Sequence, residues 1–332
     1  MMSNRKLDVL TIGDLMVDFT PAGISPKNNL LFERNPGGSP ANVAVTVSRL
    51  GGESGFLGTV SNDIFGQFLK SKMVEYGVCA DGIKFTDKAA VKMAFITLDQ
   101  DNNRSFYFTK GDIAETFYYP EDVDASLIKN AKVLMLSLVS QYNEPFKSAS
   151  AYAVKTAKEN DVLIAYDPNW NIAFSKDKEN ERKIILSTAA QADIMKISIE
   201  EAMFVFGEDV SAVSAAENFK KLGPKLVTIT LGPKGNYYLY DGGSGFVPTY
   251  DTKVADTTGA GDAFMGGLLY QLTNIKNVDI SNITNDEMQS IMHFSNACGA
   301  ICATKRGGMP SLDGIDEVFE CMEHTPILQI ND

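Results

Sequence analysis

The run Asp256–Phe264 carries the residues best suited to chemistry. Gly259, Ala260 and Gly261 are small and stand where an apolar helix begins, so ligands can approach their backbone N–H groups closely. A helix N-terminus with accessible amides binds anions. Asp262 lies in the first turn, where its carboxylate would face the same space. This pattern suits phosphoryl transfer, in which the amides stabilise developing negative charge and Asp262 accepts the proton of an attacking hydroxyl.

A purely structural interpretation of the same run is also open. Thr257 and Thr258 could cap the helix, and an acidic residue in the first turn is favoured by the helix dipole. A short Gly/Ala turn alone would favour this interpretation. The complete nine-residue run favours the catalytic one.

A second run, Gly37–Ala44, could contact a polar ligand. Gly37 and Gly38 predict a turn whose backbone can touch the ligand, and Ser39 and Pro40 predict the N-cap and first position of a helix. Asn42 then falls in the first helical turn with an amide donor and acceptor, which suits a polyol. Helix capping alone remains the alternative explanation for this run.

The composition limits the class of partner. The 332 residues carry a formal net charge of −12 without a cluster of Lys and Arg, which argues against a nucleic-acid partner and favours a neutral substrate such as a sugar. Four cysteines without a CxxC pair indicate a reducing compartment. We expect no signal peptide, no transmembrane helix and no membrane partner, and hence a cytoplasmic protein.

Short apolar runs alternate with helical patterns, which predicts an α/β fold with a mainly parallel central sheet and helices on both faces. The predicted strands are Leu7–Gly13, Lys132–Leu138, Val162–Tyr166, Ile194–Ile197 and Leu226–Leu231. The predicted helices are Pro40–Leu50, Asp63–Tyr76, Glu144–Asn160, Asn180–Ala190 and Ser211–Lys220. Ser244–Pro248 and Asn274–Asn285 are interpreted as polar connectors. In such a sheet the ligand binds at the carboxyl ends of the strands.

Residues 15–35 and 91–110 interrupt this alternation. The second segment predicts a hairpin around the polar turn at 99–103, and a hairpin inserted into a parallel α/β domain has to cover something. We therefore interpret both segments as strands of a small β-sheet lid over the pocket. An antiparallel edge of the main sheet is the alternative.

The runs Gly37–Ala44 and Asp256–Phe264, in this order and at this separation, resemble the PfkB family of carbohydrate kinases. The resemblance covers essentially the whole chain, as a single kinase domain over 1–332, and is nearest to the fructokinase branch. The runs that support it are Gly13-Asp14, Asp18, Asp167-Pro168-Asn169, Lys196-Ile197-Ser198 with Glu200-Glu201, and Thr230–Gly235. The resemblance implies a ribokinase-like three-layer α/β/α sandwich with a small β lid, ATP as phosphoryl donor, Mg²⁺ and, in many members, K⁺.

The resemblance also implies roles for individual residues. Those matching the sugar-binding positions are Asp14, Asp18, Gly37, Gly38 and Asn42; those matching the anion hole and base are Gly259, Ala260, Gly261 and Asp262. The nucleotide positions match Lys196, Thr230, Gly232, Gly235 and Asn296. Glu201 matches the residue that binds Mg²⁺ through water, and Asp256 and Thr258 match the monovalent-cation site.

Three positions depart from the family pattern. Ser198 replaces an Asn of the Mg²⁺-linked motif, while Asn171 and the pair Thr109-Lys110 stand where relatives often carry Arg. Each lost Arg removes a planar fork that could grip phosphate or the sugar. Fructose is the expected substrate; ribose, 2-keto-3-deoxygluconate, a nucleoside and a non-catalytic binding protein are the alternatives. A homodimer formed through the lid is also expected.

Overall fold

The computed structural model describes residues 6–98, 104–170, 175, 177–305, 307, 309 and 312–329. Within them the strands form two sheets, one of nine strands and one of four. The strands are β1 Leu7–Ile12, β2 Met16–Ile24, β3 Leu30–Gly37, β4 Ser54–Ser61, β5 Ile83–Thr86, β6 Met93–Leu98, β7 Arg104–Phe108, β8 Ala131–Leu136, β9 Leu163–Tyr166, β10 Ile194–Ser198, β11 Leu226–Thr230, β12 Asn236–Tyr240 and β13 Gly243–Val247.

The large sheet has the order β13-β12-β11-β10-β9-β8-β1-β4-β5. Neighbouring strands pair in parallel all the way from β5 to β11. At the β11 edge, β12 and β13 are added in antiparallel fashion. The central strands β4 and β9 are buried along their whole length, as expected for strands covered on both faces. This confirms the mainly parallel α/β architecture.

Helices cover both faces of the large sheet and bury their apolar sides against it. The helices are α1 Ser39–Arg49, α2 Ile64–Glu75, α3 Ala125–Lys129, α4 Phe146–Lys158, α5 Lys178–Ala189, α6 Ile199–Phe206, α7 Ala212–Lys220, α8 Ala260–Thr273, α9 Asn285–Thr304 and α10 Ile315–His324. Helices α3 to α7 share one apolar core cluster, and α1, α8 and α9 share another. The three layers predicted from the sequence are therefore confirmed.

The small sheet has the order β3-β2-β6-β7 and forms the lid. Strands β2 and β6 are parallel, while each pairs in antiparallel fashion with its neighbour. Phe19 of β2 stacks on Phe95 of β6 with ring centroids 4.8 Å apart, and Phe32 meets Phe95 edge-on. The two inserted segments thus form one sheet with an aromatic face, and not an edge of the main sheet. The predicted turn at 99–103 lies outside the described residues.

The sequence-based elements agree with the structure at most positions. All five predicted strands and all five predicted helices are present, with ends shifted by one or two residues. The connector interpretation of Ser244–Pro248 is wrong, because most of this segment belongs to edge strand β13, whose side chains alternate in exposure. Asn274–Asn285 is a connector with two 3-10 turns that leads into α9. Among the described residues, no helix is long and apolar enough to cross a membrane.

Candidate active site

The carboxylate of Asp262 lies at the centre of the candidate site, in the first turn of α8. Its Oδ1 accepts hydrogen bonds from Oγ of Ser39 (2.6 Å) and Nδ2 of Asn169 (3.1 Å), and its Oδ2 accepts one from Nδ2 of Asn42 (2.7 Å). The side chain is only 5% exposed. Three elements that are distant in sequence, α1, α8 and the loop after β9, therefore hold this carboxylate in one orientation.

Burial raises the pKa of Asp262 to about 6, and the nearby charge of Asp167 adds to this effect. The hydrogen bonds from Asn42 and Ser39 and the charge of Lys196 act in the opposite direction. The group is therefore ionised at neutral pH but far more basic than an exposed aspartate. A pKa nearer the working pH is what a general base requires.

Two capping predictions are wrong. Gly259, in the left-handed conformation (φ 80°), is the N-cap of α8, and no side chain among the described residues caps this helix. Thr257 and Thr258 lie before this N-cap. Gly38 precedes α1 as its N-cap, and the hydroxyl of Ser39 is directed to Asp262. The amides at the start of α8 are therefore not covered by a capping side chain.

A buried ion pair lies next to these amides. Nζ of Lys196, on β10, is 2.8 Å from Oδ2 of Asp167, which follows β9. A Cβ atom on Gly261 would lie 2.9 Å from this ammonium, so a glycine there lets the helix start approach the positive charge. Burial alone would lower the pKa of Lys196, but Asp167 and Glu201 raise it above its ordinary value. The backbone N–H of Ala260 donates to the carbonyl oxygen of Thr257 (3.2 Å), and no side chain among the described residues caps the helix. The start of α8 thus combines an uncapped helix end with a fixed cation.

Glu201 faces the same charge cluster from the first turn of α6. Its carboxylate accepts the backbone N–H groups of Ser198 (2.7 Å) and Trp170 (2.6 Å), and burial raises its pKa to about 7. Ser198 caps α6 through a reciprocal capping box with Glu201, which is a local reason for serine at this position. A carboxylate has about four acceptor positions, so Glu201 retains capacity for a metal-bound water. Asn171 lies outside the described residues.

Asp14 and Asp18 lie beside the glycine pair that precedes α1, where β1 ends and the lid begins. A Cβ on Gly37 would lie 2.1 Å from Oδ2 of Asp18, and a Cβ on Gly38 would lie 2.3 Å from the carbonyl oxygen of Asp14. Gly38 also has φ 115°, which favours glycine. Burial, together with the charge of Asp14, raises the pKa of Asp18 to about 6. The glycine pair is therefore required for both aspartates to occupy these positions.

The side-chain amide of Asn42 has one bonded and one unbonded polar atom in the site. Its Nδ2 donates to Asp262, while its Oδ1 is buried and finds no hydrogen-bond partner in the described part of the chain. An orphaned buried acceptor is costly, and a ligand hydroxyl could satisfy it.

The residues matched to the nucleotide loop form a separate group beyond β11. Thr230 ends β11 and pairs in register with Ser198 of β10. Gly232 (φ 57°) is exposed with open space around it, whereas a Cβ on Gly235 would lie 2.1 Å from the carbonyl oxygen of Val247. Only Gly232 therefore leaves its backbone open to a ligand; Gly235 is needed for packing.

The side chain of Asn296 is bound by residues of β12 and of the end of β13. Its Nδ2 donates to the carbonyl oxygens of Val247 and Pro248, and its Oδ1 accepts from Nδ2 of Asn236. Its amide therefore holds the end of β13, and any contact with an adenine would be through packing.

Asp256 and Thr258, the residues matched to a monovalent-cation site, lie together before α8. Asp256 is 4% exposed; its Oδ1 accepts from the backbone N–H of Thr258 and its Oδ2 from that of Gly307, both at 2.9 Å. A buried carboxylate beside turning backbone offers oxygen ligands to a hard cation. The loop that it ties down leads directly into α8.

Several site residues were not identified from the sequence by role. Asp167 and Asn169 were noted only as part of a family run, although a polar run directly after a buried strand signals the ligand edge of a parallel sheet. Ser39 was interpreted only as a cap. Lys92 and Glu115, near Asp14, carried no sequence signal. Lys110, considered as a cation for the site, is exposed.

A ribokinase-like α/β sandwich, with a buried aspartate at a bare helix N-terminus and a lid sheet beside it, defines a small-molecule kinase. The pfkB family carbohydrate kinases match residues 6–314, and this chain belongs to that family. It is an ATP-dependent carbohydrate kinase.

Similar proteins cover nearly the whole chain. Fructokinase-1 of Oryza sativa is 38% identical over 325 residues, which cover 97% of this chain and 99% of the relative. A Xylella fastidiosa fructokinase structure with bound ATP superposes with a TM-score of 0.86 at 26% identity, covering 95% of this chain and 98% of that one. A Vibrio cholerae fructokinase double mutant with fructose, ADP and potassium ion gives 0.84 at 29% identity, covering 96% and 99%.

Proposed function

We propose that this enzyme transfers the γ-phosphoryl group of ATP to D-fructose, forming fructose 6-phosphate. The observation that carries the proposal is the carboxylate of Asp262, held by Ser39, Asn42 and Asn169 at the bare N-terminus of α8. The names of the plant relative and of the two bacterial structures, one of which contains fructose, support fructose as the acceptor.

The sugar would lie between the lid and the start of α8. Its hydroxyls would donate to Asp14 and Asp18 and to the unpartnered Oδ1 of Asn42. Asp262 would accept the proton of the attacking hydroxyl, which contributes roughly 10²–10⁴-fold in rate. The lid, whose inner rings pack against one another, would exclude water and limit wasteful ATP hydrolysis.

The amides of Gly259, Ala260 and Gly261, with the ammonium of Lys196 beside them, would stabilise charge on the transferring phosphoryl group, and the N–H of Ala260 would share its donation with the carbonyl oxygen of Thr257. Thr230, Gly232 and Gly235 would line the nucleotide end. Mg²⁺ would neutralise phosphate charge, and Glu201 could hold it through a water molecule. K⁺ would bind beside Asp256 and Thr258.

Two further properties belong to the proposal. The lid exposes the apolar side chains of Ile24, Leu30 and Leu31, which supports a homodimer formed through this sheet. All four cysteines are free thiols, which supports a cytoplasmic location.

The test is a coupled ADP-release assay with fructose, ribose, 2-keto-3-deoxygluconate and adenosine as acceptors, followed by NMR assignment of the phosphorylated carbon. Fructose should give the highest kcat/KM, with phosphate on O6. A higher value for another acceptor would correct the substrate. ADP release that no acceptor stimulates would contradict the kinase assignment.

A further inference from the structure

A lysine ammonium lies at the base of the lid, beside the aspartates of the sugar pocket. Nζ of Lys92 is 3.8 Å from Oδ2 of Asp14 and 5.1 Å from the ring centroid of Phe108. The carbonyl oxygen of Lys92 accepts a 3.0 Å hydrogen bond from the backbone N–H of Val17, at the start of the β2–β6 pairing. The backbone of Lys92 is therefore fixed to the lid while its ammonium faces the core.

A buried carboxylate acts on this ammonium. Glu115, in the 3-10 helix Ala114–Phe117, is 2% exposed, and neither of its carboxylate oxygens has a hydrogen-bond partner among the described residues. The N–H of Ala114 donates to the carbonyl oxygen of Ala90, which ties this helix to the segment that carries Lys92. Burial raises the pKa of Glu115 to about 7, and the charge of Lys92 acts in the opposite direction by favouring the ionised carboxylate.

The electrostatics of Lys92 agree with this geometry. Burial alone would lower the pKa of the Lys92 ammonium, but the carboxylates of Glu115, Asp14 and Asp18 raise it above its ordinary value. The ammonium is therefore charged throughout the physiological range.

The charges around Lys92 define the kind of substrate group that fits beside it. The ammonium lies 3.8 Å from Asp14, and the charges of Asp18 and Glu115 also act on it, so this wall of the pocket is net negative when all three carboxylates are ionised. An anionic sugar group would be repelled. A neutral hydroxyl has one donor and two acceptor positions, so it can donate to Asp14 and accept from Lys92 at once.

We propose that Lys92 is a specificity-determining residue for neutral sugars, whose ammonium donates a hydrogen bond to the same sugar hydroxyl that donates to Asp14. Glu115, buried on the helix tied to the Lys92 segment, is the proposed positioning residue and acts on this ammonium through its charge, not through a direct hydrogen bond. The inference rests on the proposed function, because Asp14 is there a sugar-binding residue. It adds a recognition element from the lid side of the pocket.

The test compares Lys92→Met, Glu115→Gln and the double variant in steady-state kinetics, with fructose titrated calorimetrically as a second readout. Lys92→Met should raise the KM and the dissociation constant for fructose about tenfold or more, with the KM for ATP changed by about twofold at most. Glu115→Gln should also raise the KM and the dissociation constant for fructose, but by a smaller factor. Since Glu115 acts through Lys92, the double variant should resemble Lys92→Met alone.

Lys88→Met is the matched control. Lys88 is exposed, lies in the segment before the lid strand and donates to the hydroxyl of Tyr119. Losing its charge should leave both KM values unchanged. If Lys92→Met does not fold, Lys92→Gln, which keeps a polar head, replaces it.

Two results would overturn the inference. The first is a folded Lys92 variant with an unchanged fructose KM. The second is a variant that loses only 2-keto-3-deoxygluconate, which would make Lys92 an anion-binding residue. If the wild-type enzyme does not phosphorylate fructose, the proposed substrate is wrong, and the same comparison is made with the neutral sugar that it does phosphorylate.

Discussion

Nζ of Lys196 lies 2.8 Å from Oδ2 of Asp167, and both side chains are almost completely buried. This pair lies beside Gly261, so it affects both the stability of the fold and the charge at the start of α8. We expect Lys196→Met to lower the free energy of unfolding by about 3–5 kcal/mol, because it leaves Asp167 buried without a partner. Urea unfolding measures this loss.

The double variant Lys196→Met/Asp167→Asn should regain much of the lost stability, since it removes both charges. Lys220→Met is the matched control, because the partner of Lys220, Asp241, is largely exposed, and it should cause a much smaller loss. Equal losses for Lys196→Met and Lys220→Met would show that the buried ion pair contributes no more to the free energy of unfolding than the exposed one.

Asp262→Asn should retain ATP and sugar binding but lower kcat by about 10²–10⁴-fold, because an amide cannot accept the proton of the attacking hydroxyl. Asp286→Asn makes the same chemical change in the first turn of α9, where the side chain is exposed, and should leave kcat unchanged. Steady-state rates, with binding measured separately by calorimetry, distinguish the two. A normal kcat for Asp262→Asn would show that Asp262 is only a favourable helix-start residue.

The pH dependence should show two carboxylates. Burial raises the pKa of both Asp262 and Asp18 to about 6, and each acts as an acceptor in its ionised form. As the pH falls through 6 both become protonated, so kcat/KM for the sugar should decrease with a log–log slope of at least 2, to which Glu201, whose pKa burial raises to about 7, can add. In Asp18→Asn, which retains Asp262, the slope should be smaller by about 1. A plateau that persists well below pH 6 would contradict the ionised form as the active one.

Potassium should activate the enzyme through the loop that leads into α8. Asp256 holds the backbone of Thr258 and Gly307, and a cation bound there would order the anion hole. Replacing K⁺ by Na⁺ at constant ionic strength should lower kcat severalfold. Asp256→Asn keeps the shape but removes the charge, and should abolish the difference between the two salts. Equal rates of the wild-type enzyme in both salts would show that no selective site exists there.

The sequence predicted the sheet, the lid segments and the local run around Asp262, because each depends on patterns within a short window. Strand β4 was missed because Gly55 and Gly58 interrupt its apolar pattern. Strand β13 was missed because it is a short exposed edge containing two glycines.

The partners of the Asp262 carboxylate could not be predicted from the sequence. Ser39 and Asn169 reach Asp262 across 223 and 93 residues, and such distances are set by the packing of helices on the sheet. The same holds for Lys92 and Asp14, whose charged groups come within 3.8 Å of each other although they lie far apart in the sequence. The family and the fold are confirmed, whereas the roles of individual site residues stay predictions.

The wide spacing of the donors to Asp262 has a consequence for the enzyme during its own synthesis. When Ser39, Asn42 and Asn169 have left the ribosome, the nascent chain contains all three donors but still lacks Asp262, the carboxylate that they orient. The nascent chain can therefore form most of its parallel sheet before this arrangement exists. With Asp262 as the proposed base, phosphoryl transfer would begin only when α8 docks beside α1, so activity would report completion of the core.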